Sequence, residues 1–144
     1  MPTATPTAQT VREKREHASR FFEHSWRTGS LDADLVTDDY LAHGLPGGPY
    51  DAAAEQDAIR TVRNAIPDLR VVVRCVVSEG DFVSLRFGAY GTQTGRLAGF
   101  DGTGRELSTD GVVVYAFENG RIAESRLYFD LASLLGEQES RDAV

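Results

Sequence analysis

The sequence predicts an α+β fold: three N-terminal helices packed on a curved, mostly antiparallel four-stranded sheet that closes around a cavity. Two observations carry this. Apolar residues in the first half recur at helical spacing behind recognisable caps, whereas the second half consists of Val-, Phe- and Tyr-rich runs separated by glycine turns. A third, Asn119-Gly120 between two such runs, is a strong hairpin signal because both central residues of a type I′ turn need positive φ.

The opening MPTATPTAQT has neither a basic nor an apolar block, so residues 1–10 read as a disordered lead-in and not a signal peptide. Thr10 with Glu13 forms a capping box for a first helix that Gly29 closes near Thr28. Phe21, Phe22 and Trp26 fall on its inward stripe, and a buried Trp26 needs a partner for its N–H, which a pocket rim supplies. Ser30 caps an expected short second helix, Leu31 to Val36. Asp51 caps a third, which ends before Pro67. Strands are expected from Leu69 to Val77 and from Phe82 to Tyr90, joined by a tight turn at Ser78-Glu79-Gly80-Asp81. A glycine-rich crossing (Gly91, Gly95, Gly99, Gly102, Gly104) leads into the final hairpin. Asp130 then caps a last short helix over Leu131 to Leu135, and a frayed tail over 139–144 follows the domain at 11–138.

With a two-residue turn, Glu118 faces Arg121, and the period of two fixes every later pair. One face then holds Asp110, Val112, Val114, Ala116, Ser125, Leu127 and Phe129, an apolar wall with one carboxylate. The other holds Tyr115, Phe117, Ile122, Glu124, Arg126 and Tyr128, expected outside as partner contacts. On this register Asp110 points into the cone, where burial would raise its pKa toward the range of a general acid or base. A bulge between Ser108 and Gly111 would instead turn it to solvent.

Fifteen basic against 22 acidic residues, a net charge of −7, argue against a nucleic-acid or anionic-membrane surface. The single cysteine, Cys75, excludes a disulfide framework and reads as a small buried hydrophobe in a Val run. No P-loop, dinucleotide fingerprint or HExxH is present, and His17 and His24, seven apart on the first helix, lack a third ligand, so no metal is expected. Without a membrane span or leader, the expected location is cytoplasmic.

Asp39-Tyr40 with His43, Ile66-Pro67-Asp68-Leu69-Arg70, Glu79-Gly80-Asp81, Gly91-Thr92 through Thr103-Gly104-Arg105, and Asn119-Gly120-Arg121-Ile122 followed by Glu124 and Asp130 together resemble a known group. It is the SnoaL-like polyketide cyclase family of the nuclear transport factor 2-like superfamily, over about Thr10 to Gln138. The resemblance implies a cone-shaped α+β barrel, homodimers packed through the outer sheet face, and a cofactor-independent interior site for small aromatic or polyketide substrates. It also places a residue at the cavity mouth where His43 stands, either to shuttle a proton or as a structural histidine bonded to a backbone carbonyl. Leu127 and Ser125 stand where the family's aldol-type cyclases carry an aspartate and a histidine.

Two readings follow. The first is an enzyme of isomerase or lyase type in natural-product biosynthesis, with Asp110 and His43 as its proton-transfer groups. Its expected substrate contacts are Trp26, Phe22 and Tyr40 from the helical half and Val112, Ser125, Leu127 and Phe129 from the hairpin. The second is a non-catalytic small-molecule binder that has lost the family's acid, as Leu127 and Ser125 suggest.

Overall fold

In a computed structural model of the chain, which describes residues 9–130, two helices pack on a five-stranded mixed sheet. Helix α1 spans Val11–Thr28. The Thr10 hydroxyl accepts from the Glu13 N–H at 3.0 Å, and Gly29 (φ 76°) closes the helix by donating to the Ser25 carbonyl at 2.8 Å. Helix α2 spans Ala52–Ala65, and the Asp51 carboxylate accepts from the Ala54 N–H at 2.8 Å. Two α2 arginines reach back to the end of α1. Arg60 donates to the Gly29 carbonyl at 2.9 Å and Arg63 to the Trp26 carbonyl at 2.6 Å, satisfying acceptors that a helix terminus leaves open.

The expected second helix is not formed. Ala33–Leu35 makes a single 3-10 turn, and the chain then enters strand β1, Val36–His43. The adjacent aspartates hid this strand by breaking the alternation. β1 pairs parallel with β5, with Val36 opposite Ile122 but Leu41 opposite Glu124, so the register shift absorbs exposed Asp38 and Asp39 and leaves Val36, Tyr40 and Ala42 facing inward. The remaining strands are β2 (Arg70–Glu79), β3 (Phe82–Gln93), β4 (Arg105–Glu118) and β5 (Arg121–Phe129), in the order β1-β5-β4-β3-β2 and antiparallel beyond β1. The start of β2 is tied to the end of β3 by Asp68, which accepts from the Thr92 N–H at 2.7 Å. The short helix expected after Asp130, the lead-in before residue 9 and the frayed tail lie outside the described residues.

The hairpin turn is as expected, with Asn119 at φ 52°, Gly120 at φ 80° and Glu118 opposite Arg121. The register beyond it is not. Phe117 pairs with Ile122, but Ala116 pairs with Glu124, so Ala123 is an extra residue on β5. This bulge inverts the phase of β5 relative to β4. Val113, Tyr115 and Phe117 therefore share the inner face with Ile122, Ser125, Leu127 and Phe129, while Asp110, Val112, Val114 and Ala116 face outward. Between Ser108 and Gly111 the pairing with β3 is continuous, without a bulge. A register shift between Val73 and Cys75 likewise turns Cys75 outward opposite Arg86, and it is exposed, not buried.

The core lies between α1 and the concave sheet face. Phe22 stacks at 4.8 Å on Phe87, and Phe21 meets Tyr115 and Tyr40 edge-on at 5.9 and 6.2 Å. Phe22 is 2% exposed, a burial that stabilises by about 1.5–3 kcal/mol.

Candidate functional site

The hollow of the cone is an apolar cavity of about 120 Å³. Trp26 of α1, Val62 and Ile66 of α2, Phe87 and Ala89 of β3, and Leu127 and Phe129 of β5 form its walls. Two loops complete its lining, one through Leu45 and Pro46, the other through Leu97 and Ala98. The first loop lies tightly against β5: Gly44 has φ 114°, and a Cβ there would sit 2.1 Å from the Leu127 carbonyl oxygen. Such a hollow matches about four waters of liquid volume, whereas ligand pockets commonly measure about 300–1,000 Å³.

On the same inner face, outside the cavity lining, lies a polar cluster. The Tyr40 hydroxyl is 2.7 Å from Glu55 Oε1 and 2.8 Å from Ser125 Oγ, with Tyr40 and Ser125 only 2% and 3% exposed. Three elements converge here because β1 runs parallel to β5, setting Tyr40 beside Ser125, while α2 crosses above β1 and lowers Glu55 from its first turn. Glu55, Ile59 and Val62 follow the i, i+4, i+7 stripe, so the carboxylate lies about 10 Å along the helix from a residue of the cavity wall. Ser125 is two residues from Leu127 on β5, about 7 Å away on the same face.

Burial pushes the Glu55 carboxyl from 4.5 up to about 7, against a weaker downward pull from the Tyr40 hydrogen bond. Its place in the first turn of α2 also favours the ionised form, but by only about 0.3–1 kcal/mol, so desolvation wins. Burial, with Glu55 nearby, holds the Tyr40 and Tyr115 phenols far above their ordinary range. Both therefore remain neutral hydrogen-bonding groups.

The expected site residues separate. Trp26, Leu127 and Phe129 line the cavity, Phe22 backs it through Phe87, and Tyr40 and Ser125 are hydrogen-bonded to each other beneath it. Asp110 and Val112 lie on the outer face, in a shallow depression with Arg86 and Tyr128, as the bulge at Ala123 dictates. His43 follows the inward Ala42 and so also faces out, with its Nε2 3.9 Å from Glu124 Oε2. Among the described residues, no group of three or more His, Cys, Asp or Glu could hold a metal ion.

The model of the SnoaL-like polyketide cyclase family matches residues 16–137. The chain belongs to this family. Its fold recurs in AclR, a proposed hydroxylase from Streptomyces galilaeus, at 20% identity and a TM-score of 0.76, covering 91% of this chain and 98% of that one. IdmH from Streptomyces antibioticus, a proposed polyketide cyclase, is 22% identical with a TM-score of 0.73 over 88% of this chain and 99% of its own. TsrD from Streptomyces laurentii is 22% identical with a TM-score of 0.75 over 88% and 98%. These likenesses show the fold alone. A search of curated proteins finds no match.

In this SnoaL-like chain Leu127 is part of the cavity wall, and a half-buried carboxyl, Glu55, lies outside that wall, hydrogen-bonded to Tyr40. The sequence held a signal for it: an acid on the stripe that Ile59 and Val62 turn inward. The same residue also fits an ordinary first-turn glutamate favoured by the helix dipole, so the stripe alone does not single it out.

Proposed function

We propose that this chain takes a hydrophobic, polyketide-type small molecule into the cone and acts on it by cofactor-independent acid/base chemistry: cyclisation, isomerisation, dehydration or epoxide opening. The observation that carries the reading is the apolar cavity, lined by both layers and two loops, inside a SnoaL-like barrel. Orientation within apolar walls would supply much of the rate. Trp26 is the only tryptophan and lines the cavity, so its fluorescence reports occupancy. Titration with 2-tetralone, a bicyclic ketone of the appropriate character, should change that fluorescence saturably, and Ala89→Leu, which fills the cavity from β3, should abolish the change. An unaltered signal, or one that persists in Ala89→Leu, removes the cavity from the function.

A non-catalytic binder is the second reading, favoured by the cavity wall itself, where Leu127 and Phe129 carry no ionisable group. We further propose a homodimer through the outer sheet face, where Val77, Phe82 and Tyr128 are each more than half exposed and Leu41 is exposed on β1, at the opposite edge of the sheet from Val77. Sedimentation should show a dimer that Phe82→Asp dissociates; a monomer at all concentrations would remove this assembly.

A further inference from the structure

We propose that Glu55, Tyr40 and Ser125 form a proton relay serving the cavity from α2, with an enolisable ketone as the class of occupant it turns over. The proposal rests on the reading of the cone as a ligand site and deepens it. Three features point to a relay. The groups form an unbroken chain, Glu55 Oε1 to Tyr40 Oη at 2.7 Å and Tyr40 Oη to Ser125 Oγ at 2.8 Å, both within proton-transfer distance. The chain ends on the inner face of β5 at Ser125, two residues from Leu127 of the cavity wall. Its other end, Glu55, is the least buried of the three and so the nearest to solvent.

The direction of the chain follows the state of Glu55. With the carboxylate ionised, Tyr40 donates to Glu55, Ser125 donates to Tyr40, and the free lone pairs of Ser125 Oγ accept from the occupant. With the acid neutral, Glu55 donates to Tyr40, Tyr40 donates to Ser125, and the Ser125 hydrogen is offered outward. Enolisation then runs in one sense. The C–H bond next to the ketone breaks and its electron pair moves into the enolate. The proton passes to Ser125 Oγ, the Ser125 proton to Tyr40 Oη, and the Tyr40 proton to the Glu55 carboxylate. Reprotonation at another carbon runs the chain backward, and no redox partner is needed. Tyr40 stays a neutral phenol before and after each transfer, and Ser125 is the group that touches the occupant.

The test is deuterium exchange into the α-positions of 2-tetralone in D₂O, followed by proton NMR, alongside Trp26 fluorescence for binding. The unsubstituted protein should accelerate exchange, with a rate that rises as the pH passes about 7, where the relay carboxyl ionises. Glu55→Gln should lower the rate by about 100-fold or more while binding persists, and should flatten the pH profile, which a structural role would not do. Tyr40→Phe should do the same. Ser125→Ala, the smallest change, guards against loss of fold. Binding without exchange, or exchange unchanged in Glu55→Gln, overturns the relay and leaves the ligand site standing. Absence of binding overturns both.

Discussion

Replacing Glu55 by glutamine should change how the stability of this protein depends on pH. In the unfolded chain this carboxyl ionises near its ordinary 4.5, whereas in the barrel burial raises it to about 7. Between those values the folded protein holds a proton that the unfolded chain has released. Stability therefore falls as pH rises through that window, and the favourable contribution present below 4.5 is gone above about 7. From pH 5 to pH 8 roughly two units of the shift are traversed, at about 1.36 kcal/mol each, so the carboxyl removes about 3 kcal/mol. For a domain of this size that is on the order of 10 °C in Tm. A glutamine at this position keeps the shape and a hydrogen-bonding oxygen for Tyr40 but has no proton to lose. Urea unfolding of both proteins at the two pH values isolates the difference from every other titrating group. Glu55→Gln should gain about 3 kcal/mol relative to the unsubstituted protein between pH 5 and pH 8. Parallel pH dependence in the two proteins would refute the argument that desolvation dominates this site.

Tyr40→Phe strips the central partner from both Glu55 and Ser125 and should cost about 1–3 kcal/mol in urea unfolding at pH 6; an unchanged midpoint would show that the cluster contributes nothing to stability. Gly111→Ala should lower Tm, because a Cβ there would lie 2.4 Å from Phe87 Cζ and 2.8 Å from the Tyr128 carbonyl oxygen, and overpacking of this kind costs about 1–3 kcal/mol. Asp110→Asn and His43→Ala should leave both 2-tetralone binding and its α-exchange unaltered, since both residues face away from the cavity; loss of either signal would contradict the observed register.

The parts of this fold that local chemistry dictates could be read from the residues. The caps at Thr10, Gly29 and Asp51, the Asn119-Gly120 turn and the identity of Trp26, Leu127 and Phe129 as inward residues all depend on near neighbours in sequence. What could not be read depends on one extra residue or on a distant partner. Ala123 carries no marker that distinguishes it from a regularly paired residue, yet its bulge reverses the assignment of Asp110, Val112 and Tyr115. Strand β1 exists because β5 accepts it in parallel, a contact between segments far apart in the chain, and no propensity of Asp38-Asp39 announces it. Glu55 was hidden for a related reason. Its neighbours in sequence describe a solvated first turn, and only the packing of α2 over other elements, with Tyr40 brought from β1, buries it enough to raise its pKa.

The proposed relay would let a SnoaL-like barrel keep a proton-transfer group with leucine at its cavity wall, and its premise is a buried acid on the helical layer. It is settled by the carbon-13 resonance of the Glu55 carboxyl in protein labelled at glutamate, assigned by its disappearance in Glu55→Gln and followed against pH. Burial on α2 predicts a midpoint at about 7, moving higher still in Tyr40→Phe, where the stabilising hydrogen bond to the carboxylate is gone. A midpoint at the ordinary 4.5 would mean that the carboxyl is solvated, and that the barrel interior holds no acid of the kind described.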